Sequence, residues 1–154
     1  MYTANQIADW FLTSYSAKMD MDDGIDPMTQ MKLHKLLYYA QGTFLAVHGE
    51  PLFSDELFHW KHGPVVKEIY YRFKGKTIIG ENITDEERKN YSIVESDTDA
   101  EEVLDAVFIN YSDYSAAQLR NMTHRESPWK DTARDDIIPK ENIQQYFKDE
   151  IVEM

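Results

Sequence analysis

Five histidines in a chain without cysteine set the chemistry open to this sequence. His59 and His62 stand three residues apart, and His124 precedes Glu126 by two in Thr123-His124-Arg125-Glu126. Imidazoles near a carboxylate are the parts of a metal site or an acid–base pair, because the ring titrates near neutral pH and carries a free lone pair. A metal, however, needs three or four converging ligands. Gly63-Pro64 turns the chain directly after His62, and no third ligand has a recognisable spacing. The His-x-Glu fragment also opens the zinc deaminase signature, which continues into cysteine ligands. With no cysteine present, that match is accidental. No G-x-S-x-G elbow, P-loop or G-x-G-x-x-G fingerprint occurs, and glycine totals only six. The expectation is therefore no metal, no cofactor and no catalytic residue. The competing reading is an enzyme that uses His124 with Glu126 or His62.

Charge narrows the partners. Twenty-eight acidic residues against sixteen basic ones give a formal charge of −12 over 154 residues, so the average field repels phosphate polymers and direct nucleic-acid binding is not expected. Acid gathers around Asp20 to Asp26, Glu81 to Glu87 and Glu95 to Asp105. Residues 61 to 76 run the other way, with Lys61, Lys67, Arg72, Lys74 and Lys76 against Glu68 alone. That stretch reads either as a solvated helix face or as a docking face for an acidic partner. Absent cysteines fit a reducing compartment, and no run approaches the ~20 apolar residues of a membrane span. The start at Met1-Tyr2-Thr3 carries no basic leader. A cytoplasmic, non-membrane protein is expected.

Helices must position these groups. Ile7, Trp10, Phe11 and Ser14 share a face behind Thr3, predicting a helix from Ala4 to Lys18. Asp26-Pro27 reads as a cap and first-turn proline for a helix that runs to Val47 or His48 and stops at Gly49. Leu33, Leu37, Ala40, Phe44 and Val47 form one stripe and Leu36, Tyr39, Thr43 and Ala46 a second, so this helix belongs in the middle of a bundle. Leu57, His59 and Lys61 alternate with Phe58 and Trp60, predicting a short extended segment before Gly63. Pro64 then reads as the start of a helix whose face is Val66, Ile69, Tyr70 and Phe73. Thr84, Thr98 and Ser115 each begin a capping box, and a last helix carries Ile143, Phe147 and Ile151 after Pro139. Of Tyr38-Tyr39 and Tyr70-Tyr71, one ring of each pair is expected inward and its neighbour near the rim. The fold class is mostly α: a compact single-domain bundle over residues 1–154, six or seven helices around a buried central one, with one small β-hairpin at most.

Three blocks stand out in order: Lys32-Leu33-His34-Lys35-Leu36-Leu37-Tyr38-Tyr39 with Gly42, Trp60-x-x-Gly63-Pro64-Val65-Val66 with Tyr70, and Thr123-His124-x-Glu126-x-Pro128-Trp129. Together they resemble the Panacea domain family, the SocA-like antitoxins and phage-associated GepA proteins, over residues 5 to 150. The resemblance implies a small helical antitoxin that neutralises a protein toxin encoded nearby, often in a prophage, by direct contact. It also admits an adaptor that hands the toxin to an ATP-dependent protease of the AAA+ class, and a phage interaction protein. The family supplies no catalytic residues, and His34 stands where glutamine is expected. His62, Tyr70, Arg72, His124 and Trp129 lie in the two signature corners and the basic helix, and are the candidate partner contacts.

Overall fold

A computed structural model describes residues 1–153, and Met154 lies outside the described residues. Helix α1 (Ala4–Met21) begins as expected: the Thr3 hydroxyl accepts from the Gln6 amide, and the Gln6 side chain accepts in return from the Thr3 amide. Helix α2 (Gln30–His48) starts later than expected and ends at Gly49 in the left-handed region, φ 76°. Pro27 does not open it. Residues 28 and 29 stay extended because the Met28 carbonyl accepts from the Ile79 amide at 3.0 Å and Thr29 bridges Ile78, so the Thr29 hydroxyl becomes the cap and takes the Lys32 amide at 3.1 Å. Fourteen of the nineteen α2 residues are buried, which makes this helix the axis of the bundle. Val47 departs from its predicted stripe at 44% exposure, where the helix reaches the edge of the body.

Strands β1 (Phe58–Trp60) and β2 (Gly63–Val65) pair antiparallel, with His59 opposite Pro64 and Lys61-His62 as a two-residue turn. Pro64 is thus a strand residue and not a helix start. A proline is tolerated there because its partner looks the other way: the His59 amide donates to the Asp136 carbonyl and the His59 carbonyl accepts from the Asp135 amide. The hairpin itself lacks nothing by the missing N–H. Helix α3 (Lys67–Arg72) follows two residues later, with Val66, Ile69 and Phe73 buried as the spacing predicts.

Helix α4 (Asp85–Glu95) keeps the Thr84 capping box. Helix α5 (Thr98–Tyr111) is capped one residue earlier than expected, by Asp97, whose carboxylate takes the Ala100 amide and the Tyr2 hydroxyl. Thr98 is already helical. Ser115 caps α6 (Ala116–His124). A one-turn helix α7 (Ser127–Lys130), read from the sequence only as a corner, brings the described α-helices to eight. Helix α8 (Lys140–Tyr146) runs on into a π-helical turn, Phe147–Ile151. The core joins Trp10, Phe11 and Tyr15 of α1 to Leu33, Leu37 and Tyr38 of α2 and Phe147 of the last turn. Gly42 has a spatial reason: a Cβ there would run into the Phe147 ring. No described helix is long and apolar enough to cross a membrane.

Candidate functional site

The three blocks fold onto one another. Glu126, between α6 and α7, is buried, and its two carboxylate oxygens accept from the hydroxyls of Tyr38 at 2.9 Å and Tyr39 at 2.8 Å. Both rings are fully buried, so the expectation of one tyrosine at the rim fails: a carboxylate from another helix satisfies both hydroxyls inside. Burial pushes the Glu126 carboxyl above its ordinary range, while the Tyr39 and Tyr38 hydrogen bonds pull it back. Both tyrosines are raised in turn, first by burial and then by the Glu126 charge.

His34 ties the first block to the second. Its Nδ1 accepts from the Val66 amide at 3.2 Å, which leaves Nε2 as the protonated nitrogen facing Gln30 Oε1 at 3.3 Å. Burial, then the Lys35 charge, lowers its pKa to about 3, so the ring stays neutral. The third block closes on the second through Trp129. Its ring lies between two imidazoles, His59 at 3.9 Å and His124 at 4.0 Å between centroids, both nearly parallel to it. Its Nε1 donates to the Trp60 carbonyl at 3.0 Å, and its own carbonyl meets His59 Nδ1 at 2.7 Å. Stacking of this kind holds a turn in place.

The five candidate contacts therefore separate. His62 sits exposed in the hairpin turn, and Tyr70, half-buried, makes a T-shaped contact with Trp60 at 4.9 Å between centroids. Arg72 is half-buried and engaged inside the protein, with Asp9 at 2.7 Å, Glu87 at 3.1 Å and Asn5 at 3.1 Å. His124 and Trp129 belong to the stacked corner. Burial, then the Arg120 and Lys35 charges, holds the His124 pKa below the usual imidazole value. Among the basic residues of 61–76, Lys67 lies over the Phe58 ring at 4.0 Å, while Lys61, Lys74 and Lys76 are exposed.

Between the start of α2, the hairpin turn and α3 opens a pocket of about 330 Å³ that includes His62 and Tyr70. Trp60, Tyr70, Met31 and Val65 wall it, Lys61 and Lys76 stand at it, and among the described residues no Asp or Glu lines it. Lys35 also lines it, at 1% exposure, and burial followed by the Arg120 charge lowers the amine to about 7. Sequence reading passed over Lys35, because a lysine in a lysine- and leucine-rich helix looks like a solvated residue. The usable signal was its place one turn before Tyr38 and Tyr39, on a helix apolar around most of its girth. A different group, exposed or half-exposed Glu95, Glu101 and Asp105, brings carboxylate oxygens within 4.8 Å of one another. A hydrogen bond shared with Asp105 is the main reason the Glu101 carboxyl rises to about 7.

Comparison with known proteins adds the family. The chain is 34% identical over 110 residues to Antitoxin SocA of Caulobacter vibrioides (strain NA1000 / CB15N), an alignment that takes in 67% of this chain and 58% of that protein. It thus spans less than two thirds of the curated relative's length. No solved structure matches. The model of the family described as "Antitoxin SocA-like, Panacea domain" matches residues 33–130, a span that contains Lys35, the hairpin, Glu126 and Trp129. The chain belongs to the SocA-like, Panacea domain antitoxin family.

Proposed function

We propose that this chain is an antitoxin module that neutralises a protein toxin by direct contact, within a type II pair whose toxin is encoded beside it. The family match over residues 33–130 carries the reading. Local chemistry agrees with a binding role. The groups that would serve an enzyme are engaged in structure: Glu126 by two tyrosines, His124 and His59 by Trp129. The contact surface is the hairpin turn with the outer face of α3, where His62, Lys61 and the 60% exposed Tyr71 stand clear and Tyr70 supports them. Tyrosine here offers large contact area at low entropic cost. Arg72, His124 and Trp129, proposed as contacts on sequence grounds, serve this surface by holding α3 and the hairpin in place. The strongly acidic remainder speeds approach to a basic toxin.

Co-expression with the neighbouring gene product tests this. Growth rescue and co-purification of the two chains are expected, with both weakened by Tyr71→Ala or His62→Ala. Absence of rescue and of a complex removes the proposal. Unchanged toxin half-life in a host lacking its AAA+ proteases separates blocking from delivery to degradation.

A further inference from the structure

Lys35 is a buried cation without a counter-ion. Its Nζ makes no hydrogen bond or ion pair among the described residues, whereas the similarly buried Lys32 reaches the Ser112 carbonyl at 2.6 Å and the Tyr15 hydroxyl at 3.2 Å. An amine so little exposed and without a counter-ion is kept at a cost to the fold. The surrounding structure makes room for it nonetheless. A Cβ at Gly63 would meet Lys35 Cε at 2.7 Å and Thr123 Oγ1 at 2.9 Å, so the hinge glycine leaves the path along which the stem reaches the pocket. The charged and titratable groups acting with it are Arg120 of α6, His34 of α2, His62 of the turn and His124 of the stacked corner, and none is an acid.

We infer that this pocket binds a small organic acid, a carboxylate on an aromatic or branched apolar body, with the carboxylate on Lys35 Nζ and the body against Trp60 and Tyr70. The volume of about 330 Å³ stands at the small end of ligand pockets. Of the three amines that line the pocket only that of Lys35 is buried, and on a mostly apolar floor it matches a singly charged carboxylate. A phosphate dianion asks for several converging N–H donors, whereas the other two amines here, Lys61 and Lys76, are exposed. Lys61 and Lys76 at the pocket add attraction at long range, and the absence of lining carboxylates leaves Lys35 to be neutralised from outside the chain. In the empty protein the amine titrates at about 7. A bound carboxylate favours its charged form, so binding takes up a proton above that pH.

An NMR titration of the whole chain with benzoate, and with benzamide as the neutral isostere, tests the assignment. Saturable benzoate shifts are expected around α2 and the hairpin, roughly 30-fold weaker at pH 8.5 than at pH 6. Burial, then the Arg120 charge, lowers the His62 pKa, and His62→Gln measured over the same pH range removes its contribution. Benzamide is expected not to saturate, and Lys35→Met to bind benzoate at least about tenfold more weakly. Failure of benzoate to saturate at pH 6, equal binding of the two probes, a pH-independent affinity, or full binding by a folded Lys35→Met each overturns the inference. The isostere and pH arms need only the native chain, so they decide the matter even if the variant misfolds.

Discussion

Glu126 and Lys35 are both charged residues of the signature blocks, both inside the protein, and opposite in every other respect. Glu126 has two tyrosine hydroxyls on its oxygens, and the three groups clamp α2 to the α6–α7 corner. Lys35 has cationic neighbours, no acceptor among the described residues, and a pocket in front of it. A buried charge that the fold satisfies holds the fold together; one that the fold leaves unsatisfied is kept at a cost to stability. The contrast separates scaffold from site more cleanly than the blocks do, because both residues sit inside recognisable motifs.

Glu126→Ala breaks the comparison on its structural side. It strands two buried hydroxyls at about 1–3 kcal/mol each, so a loss of roughly 3–4 kcal/mol is expected in urea unfolding. A loss under 1 kcal/mol would mean that the tyrosines find other acceptors.

The second test is pH. The Lys35 amine falls from its ordinary 10.5 to about 7 in the folded chain. Between those values the unfolded chain holds a proton that the folded chain has released, so stability from this group rises with pH across that window and is flat below it. From pH 7 to 9 the gain amounts to about 2 kcal/mol. Lys32, lowered to about 8 chiefly by burial, adds a slope of the same sign, so the Lys35 share is read as the difference from Lys35→Met.

Lys35→Met itself is expected to raise stability at pH 7 by about 1–2 kcal/mol, since a flexible apolar side chain replaces an unpaired amine of similar length. Destabilisation instead would place Lys35 with Glu126 as a structural residue. The smallest effect belongs to Tyr38→Phe, which removes one of the two hydroxyls on Glu126 and leaves the other. A loss of about 1 kcal/mol is expected, read as a fall of roughly 2–4 °C in the thermal midpoint, against the much larger loss in Glu126→Ala.

Local signals were legible where a few adjacent residues decide the outcome. The Thr3, Thr84 and Ser115 caps stand where hydroxyl and third-residue spacing put them, because a capping box closes within four residues. Boundaries moved where distant chain intervened. Ile78 and Ile79 hold residues 28 and 29 extended, and Asp135 and Asp136 occupy the outward side of His59, which frees Pro64 to lie in a strand. Neither partner is near in sequence, and no period or cap announces it.

The central helix, its apolar girth, most caps and the family were readable from residue order alone, because all rest on short-range spacing or on ordered motifs. What each motif residue does depends on packing between elements. Tyr38 and Tyr39 go inside because a carboxylate 87 residues or more away meets both hydroxyls, and Trp129 stacks because the hairpin and α6 deliver an imidazole to each face. Lys35 becomes a pocket floor because Gly63, on another element, lets it through and none of the described residues brings an acid to the pocket. Whether a charge is satisfied depends on what folding brings within about 3 Å of it, and that distance is set by packing between elements.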